Sequence, residues 1–562
     1  MVLKKIFGLV AVLGITASSA FGAHPLNLYG RGADGKNGVV AAAKPEVSQI
    51  GVDILKNGGN AVDAAVATAF AISVFEPNAS GIGGGGFILI RMAKTGKTVV
   101  IDYREKAPGK ATPDMFTLDE NGKVVNDEIT VGGKASGVPG TVAGLLTALE
   151  NYGTMKREAV MAPAIKYAKE GIPVTVNLES IIKDNYDKIS KFSETASIYL
   201  KDGLPYEIGD TIKNPDLAAT LEKISKEGKK AFYEGEIAKK IAAEIQKQGG
   251  LMTVEDLKNY SVEIREPVEG TYRGYTIISC PPASSGGTHI IELLNMMENY
   301  DVKKMGDNTS ESWHIWAEAM RQMFADRSEY MGDTAFVKVP LKGLTSKDYA
   351  KELIKKIDVT KPGADITFGD AAKYESGSTT HFSVMDKEGN MVAVTQTINY
   401  FFGSGVTVPG TGILMNNEMD DFVPQKDKKN SIEGGKRPLS SMSPTLVLDP
   451  QKRPFMTIGS PGATRIIPAV ALTISNVIDH GMDIQTAISA PRITQFQSGS
   501  LQLEGRVSLD AHKKLVEMGH EVNIRGAYDA YFGGVHAIMM DYNTNTLHGG
   551  ADPRRDGQAV GY

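Results

Sequence analysis

Two strand-like runs near the middle of the chain can bring hydroxyl groups face to face. Thr379, Thr380, His381, Phe382, Ser383 and Val384 alternate as a strand, residues 386–390 read as a turn, and residues 391–397 read as the returning strand. If Asp386 and Asn390 flank a three-residue loop with Gly389 at its left-handed position, Thr379 lies opposite Thr397. Facing side chains on one sheet face have Cβ atoms roughly 4.5–5.5 Å apart, so the two hydroxyls come within hydrogen-bonding reach. A one-residue slip places them on opposite faces. Strands favour threonine, and an ordinary threonine pair has the same spacing, so both readings stand at this point. Other residues share that double aspect. Arg104, between Asp102 and Glu105, suits a structural ion pair or an anion site. Glu418 and Asp421 suit loop-capping acids or acceptors for a cation, and Asn399 suits a turn at a strand end. His381, two residues from Thr379 along the strand, reads as a packing residue.

The elements around this hairpin are legible from apolar spacing. Residues 45–56 show helical periodicity and end at Gly58-Gly59, and Asn60 then caps a second helix whose apolar run, 61–76, reads as buried. The run Gly81-Ile82-Gly83-Gly84-Gly85-Gly86 matches G-x-G-x-x-G, but it follows a helix and precedes a strand-like segment. A dinucleotide fingerprint needs the reverse order, so these glycines read as a turn where backbones approach closely. Residues 150–350 alternate helical patterns with short loops, including an amphipathic helix marked by Ile237, Ile241 and Ile245. Most strand-like segments lie before residue 135 and after 375. The order indicates one α/β body with a helical insertion. The lysine run Lys426, Lys428 and Lys429 reads as a solvated loop.

Composition narrows the chemistry. With 61 Lys plus Arg against 66 Asp plus Glu, the net charge of −5 offers no general attraction to nucleic acid or anionic membranes. The single cysteine, Cys280, permits no intramolecular disulfide and no cysteine-based metal cluster. There is no G-x-S-x-G, H-E-x-x-H or G-x-x-x-x-G-K-[ST] motif, and the nine histidines do not cluster. No cofactor and no metal site is expected. Residues 1–23 read as a secretory signal, with Lys4 and Lys5 before an apolar run and Ala20-Phe21-Gly22 at its end; the run is too short to span a bilayer. A periplasmic or secreted protein without stable membrane insertion is expected.

The neighbourhood of the hairpin is more specific. Glu375-Ser376-Gly377-Ser378-Thr379-Thr380-His381, Asn416-Asn417-Glu418-Met419-Asp420-Asp421-Phe422 and Arg437-Pro438-Leu439-Ser440-Ser441-Met442-Ser443-Pro444 closely resemble γ-glutamyltranspeptidases. So do Asp102-Tyr103-Arg104-Glu105, Gly137-Val138-Pro139-Gly140-Thr141-Val142-Ala143-Gly144 and Gly459-Ser460-Pro461-Gly462, and the resemblance covers nearly the whole mature chain. It implies an α+β fold, a four-layer αββα sandwich of the N-terminal nucleophile hydrolase type. It also implies a precursor that cuts itself between Ser378 and Thr379. The expected pieces are a signal (1–23), a large subunit (24–378) and a small subunit (379–562), the last two remaining together as a heterodimer within one domain.

The resemblance assigns roles by position. Thr379 would be the nucleophile, with its freed α-amine, reference pKa about 7.7–8.0, as its base. Thr397 would orient it. Residues 455–458 run as a strand into Ser460-Pro461-Gly462-Ala463 and an apparent helix from Thr464, so backbone N–H groups of Gly462 and Ala463 would face a developing oxyanion. The family usually has two glycines there. Arg104, Ser440 and Ser441 would hold a glutamyl α-carboxylate, and Asn399, Glu418 and Asp421 its α-ammonium. The implied reaction passes the γ-glutamyl group of glutathione, glutamine or similar amides to water, an amino acid or a peptide. Only thirteen residues separate Phe422 from Lys436, where many members carry a longer lid, so an open pocket is expected. The rival readings are an acylase for another amide or a poly-γ-glutamate hydrolase or transpeptidase on the same scaffold. A non-catalytic binding protein with this fold is the rival from another class.

Overall fold

The computed structural model describes residues 30–363 and 379–562. The expected signal 1–23 and Ser378 lie outside the described residues. Two seven-stranded sheets form the centre. The first runs Gln558–Gly561, Gly38–Ala42, Thr380–Asp386, Met391–Thr397, Gly85–Arg91, Thr98–Asp102 and Glu263–Arg265. The second runs Ala33–Gly35, Thr546–Ala551, His536–Asp541, Pro454–Gly459, Thr445–Leu448, Tyr275–Ser279 and Val268–Tyr272.

Alternation along the first sheet divides its side chains between two cores. Val40, Ala42, Phe382, Val384, Val392 and Val394 face a cluster that includes the helices Pro45–Lys56 and Ala61–Phe75. Val39, Ala41, Met385, Met391 and Ala393 face the other way, into a cluster shared with Met456, Ile458 and Ala537 of the second sheet. That second cluster extends to the helices Gly286–Met297, Ser310–Tyr330 and Ile466–Ile478. Helix, sheet, sheet and helix thus stack as four layers. No helix among the described residues is long and apolar enough to cross a membrane.

The early helices follow their local signals. Pro45–Lys56 starts on proline, and the Asn60 side chain accepts from the N–H groups of Val62 and Asp63 while Asp63 accepts from Asn60 in return. Every residue of Ala61–Phe75 is buried. Ile237, Ile241 and Ile245 share the buried face of Glu236–Lys247.

The middle of the chain departs from the helical-insertion reading. Glu263–Arg265 edges the first sheet, while Val268–Tyr272 and Tyr275–Ser279 complete the second. These strands are short, and Glu263–Arg265 is partly exposed at a sheet edge, so no strong period-two apolar signal marks it.

Candidate active site

The hairpin keeps the expected register. Thr380 pairs with Gln396 and His381 with Thr395, and Gly389 closes the loop at φ +82°. Thr379, one residue before the strand, therefore faces Thr397, and the two Oγ1 atoms lie 3.3 Å apart. Both threonines are buried. The Thr397 hydroxyl also accepts the backbone N–H of Asn399 at 2.8 Å, which fixes its oxygen beside Thr379. By strand alternation, both threonines lie on the face toward the second sheet.

The glycine run makes this arrangement possible. Thr397 pairs with Gly85, and a Cβ on Gly84 would sit 1.9 Å from the Thr397 carbonyl oxygen. Any side chain there would drive the strand end away. His381 performs packing, as expected: its Nδ1 lies 2.8 Å from Thr395 Oγ1 and its Nε2 3.2 Å from Ser383 Oγ. Burial pushes its imidazolium form well below the usual histidine range, so the ring stays neutral. Gly459 accommodates that ring, since a Cβ there would approach it to 2.3 Å.

Beyond Gly459 the chain turns through Ser460-Pro461-Gly462-Ala463 into the helix Ile466–Ile478 by way of a short 3-10 turn, Ala463–Arg465. Gly462 has φ +129° and Ala463 φ +52°, so the alanine occupies a left-handed conformation. Ser460 secures the turn: its hydroxyl accepts from the Gly534 N–H at 3.0 Å and donates to the Pro461 carbonyl at 2.7 Å.

A cavity of about 560 Å³ opens beside Thr379. Thr379, Thr397, Asn399, Arg104, Glu418, Asp421, Ser440, Ser441 and Ala463 all line it. Among the described residues, Gly462 is the one expected site residue that contributes no lining, although it adjoins Ala463 in the turn. Residues from Arg104 to Ala463, far apart in the sequence, thus converge on one volume, which no single motif displays.

Electrostatically the cavity floor is acidic. The Arg104 guanidinium pairs with Glu418 through Nη1 and with Asp421 through Nη2, and Glu105 lies 3.7 Å from Nη1. Arg104, expected to hold a carboxylate, is therefore paired with Glu418 and Asp421, expected to hold an ammonium. Three acids share one guanidinium. Burial raises the Glu105 carboxyl to about 7 against the pull of Arg104, and both its oxygens lack a donor among the described residues. Burial likewise raises Asp420, on the cavity wall, to about 7, opposed by the Tyr400 hydroxyl that donates to it.

Asparagines hold the acidic loop in place. Asn416 Nδ2 donates to the carbonyls of Gly83 and Gly137, while its Oδ1 accepts from the N–H groups of Gly137 and Glu418. Asn417 accepts from the Tyr400 N–H, and its carbonyl takes the Asn399 side-chain amide at 3.1 Å. Ser440 accepts from the Met442 N–H, and its own carbonyl is held by the Ser285 hydroxyl and N–H.

Two contributors escaped sequence reasoning. Arg327, near the end of Ser310–Tyr330, lines the cavity and donates from Nη2 to Ser441 Oγ at 3.0 Å and from Nε to Ser285 Oγ at 2.9 Å. Its only sequence signal is a basic residue in a last helical turn, which is common. Lys428 and Lys429 also line the cavity, whereas Lys426 is exposed and pairs with Asp114. The solvated-loop reading thus holds for the exposed Lys426 and Lys428, while Lys429 is half-buried, and it misses that residues 423–425 and 427–430 supply a cavity wall. Charge spacing does not report which side of a loop meets a cavity.

With this geometry in hand, likeness to known proteins becomes informative. The family described as gamma-glutamyltranspeptidase matches residues 47–562. The glutathione hydrolase proenzyme of Escherichia coli K12 is 45% identical over 542 residues, covering 94% of this chain and 92% of that protein. The acylase ACY 1 proenzyme of Pseudomonas sp. SE83 is 41% identical over 536 residues, covering 94% of each chain. Among solved structures, cephalosporin acylase from Bacillus halodurans superposes with a TM-score of 0.86 at 30% identity, covering 98% of this chain and 99% of that one. The Helicobacter pylori γ-glutamyltranspeptidase is 46% identical with a TM-score of 0.55, covering 58% of this chain and 92% of that one. The chain belongs to the γ-glutamyltranspeptidase family and has an N-terminal nucleophile hydrolase fold.

Proposed function

We propose that this protein is an exported precursor that cleaves itself before Thr379 and then acts as a γ-glutamyltransferase and glutathione hydrolase. The observation that carries the reading is the pair of facing hydroxyls, Thr379 and Thr397, at the wall of a cavity that also holds Arg104, Glu418 and Asp421. In processing, the Thr379 hydroxyl attacks the Ser378 carbonyl, the Thr379 amide nitrogen leaves as an amine, and an ester joins the two pieces. Water then hydrolyses the ester, giving a carboxylate at Ser378 and an α-amine on Thr379. That amine has a reference pKa of about 7.7–8.0 and can take the hydroxyl proton near neutral pH without a histidine or a metal.

In turnover, Thr379 Oγ1 attacks the γ-carbonyl of the donor, backbone N–H groups of Gly462 and Ala463 stabilise the oxyanion, and the amine product departs with the proton. Water or a second amine resolves the acyl-enzyme. The donor's ammonium binds among Glu418, Asp421 and Asn399, and its α-carboxylate binds Arg104, Ser440 and Ser441. Recognition of both backbone groups places the side-chain carbonyl at Thr379 and so selects γ-linkages. The processed pieces, 24–378 and 379–562, remain a heterodimer by shared sheets, since strands of both interleave in each sheet. The signal reading adds export to the periplasm or medium.

The matched acylases keep an amide hydrolase for another acyl group as the second reading. It has no need of an acidic cluster round Arg104. Expression of the full chain, mass analysis on a denaturing gel and release of p-nitroaniline from its γ-glutamyl derivative test the proposal. Two chains, one starting at Thr379, with turnover are expected, and Thr379→Ala is expected to abolish both. A single uncut chain in active preparations would overturn it.

A further inference from the structure

The lysine-bearing segment at the cavity mouth is not used by the chemistry above, and its placement points to a task. Lys428 is exposed, Lys429 is half-buried, and both line the same cavity as Thr379. Neither ammonium forms an ion pair with any described residue. The Lys429 Nζ lies over the Tyr330 ring, 5.2 Å from its centre.

The segment that carries them is firmly tied down. Asn430 Nδ2 donates to the Asp421 carbonyl at 2.6 Å, and Asn430 Oδ1 accepts the Leu439 N–H at 3.0 Å. The Lys428 N–H meets Ser431 Oγ at 2.8 Å, and Lys436 Nζ donates to the Lys429 carbonyl at 2.8 Å. One asparagine thus bridges the acidic loop and the serine loop, and the two lysines follow from its position.

The charged groups differ between floor and mouth. The floor carries Arg104 against Glu418, Asp420 and Asp421, with Glu105 behind them. The mouth carries Lys428 and Lys429 beside Glu329 and Asp427, while Arg327 is held inward on Ser441 and Ser285. An acidic floor suits the ammonium of a glutamyl head. Two lysines without an ion-pair partner among the described residues suit a negative charge on whatever is attached to the γ-carbonyl, because that part of a donor must extend outward from Thr379.

We propose that Lys428 and Lys429 form a carboxylate-binding lip for the leaving-group half of the donor, so that the protein favours γ-glutamyl amides whose released amine is an amino acid or peptide with a free C-terminal carboxylate. This rests on the γ-glutamyl reading of the site and specifies its outer half.

The test compares a γ-glutamyl dipeptide bearing a free C-terminal carboxylate with the same compound amidated at that end, using wild type, K428Q/K429Q and K428R/K429R. Exposed ion pairs are individually weak, so the wild type is expected to favour the carboxylate form by about tenfold in kcat/KM at low salt, mainly through KM. The glutamine variant is expected to lose that preference, the arginine variant to keep it, and added salt to shrink it in the wild type. The ratio of the two donors is the readout, because a loss of folding or of general activity cancels from it. An unchanged ratio in K428Q/K429Q, or no preference in the wild type, would overturn the lip. γ-Glutamyl-p-nitroanilide serves as the reference donor: its release with no carboxylate preference refutes the lip alone, whereas no release from any γ-glutamyl donor refutes the parent reading and the lip with it.

Discussion

The hairpin of residues 379–397 and the loop segment of residues 416–441 meet in one cavity, yet they are held there by opposite means. In the hairpin, neighbours in sequence set the register: a three-residue loop closed by Gly389 sets the pairing, and the pairing puts two neutral hydroxyls 3.3 Å apart. The loop segment has almost no regular structure, and its polar groups are placed by distant partners, Asn416 on Gly83 and Gly137, Glu418 on Arg104, Ser441 on Arg327. The hairpin stores little electrostatic tension. The loop crowds buried acids about one guanidinium. Precision in the reacting group is thus a matter of register, whereas recognition is a matter of compensated charge, and the two should fail differently when perturbed.

The largest effect is expected where charge compensation is removed. Arg104→Met leaves the buried Glu105 and Glu418 and the half-buried Asp421 without their cation, and breaking such a network costs about 3–5 kcal/mol. Denaturant unfolding measures this; a loss below about 1 kcal/mol would mean that the acids simply take up protons at no cost.

Next comes a pH effect confined to the loop side of the comparison. Burial raises Glu105 from 4.5 to about 7, so the folded state binds the extra proton between those values. Stability from this group is therefore greatest below pH 4.5 and falls as the pH rises to about 7, then levels off. Glu105→Gln should reduce this fall, read as the difference between wild-type and variant unfolding curves at pH 5 and pH 8. Parallel curves would show that Glu105 is ionised throughout.

On the hairpin side, Thr397→Val keeps shape but removes the oxygen that meets Thr379 Oγ1 and the Asn399 N–H. A fall of about tenfold in kcat, with little change in KM, is the expected signature of a group that orients rather than binds. A rise in KM at constant kcat would move Thr397 into substrate binding. The smallest effect belongs to the turn after Gly459. Ala463 at φ +52° carries a left-handed penalty that glycine lacks, so Ala463→Gly should stabilise the fold by roughly 0.5–1 kcal/mol. Destabilisation would show that contacts of the methyl group outweigh the backbone strain.

Legibility followed the same divide. The hairpin register, the buried helix Ala61–Phe75 and its Asn60 cap are local consequences of residue type, and each stands where periodicity and turn chemistry put it. The strands Val268–Tyr272 and Tyr275–Ser279 were hidden in a stretch dominated by helical patterns, because a short strand gains most of its stability from neighbours that periodicity does not show. Arg327 was invisible for a related reason: its partner Ser441 lies far along the chain, and nothing in a helix end announces a distant hydroxyl.

The sequence by itself determined which hydroxyl faces which, because strand pairing is a two-residue repeat closed by a short turn. It also fixed, through several spaced motifs, the family to which the chain belongs. Only the tertiary structure decided that Arg104 is shared between the expected carboxylate and ammonium sites, that Arg327 reaches Ser441, and that two of three clustered lysines border the cavity. Charges act through space over a few ångströms, irrespective of how many residues intervene, so their pairing follows from packing and not from order along the chain.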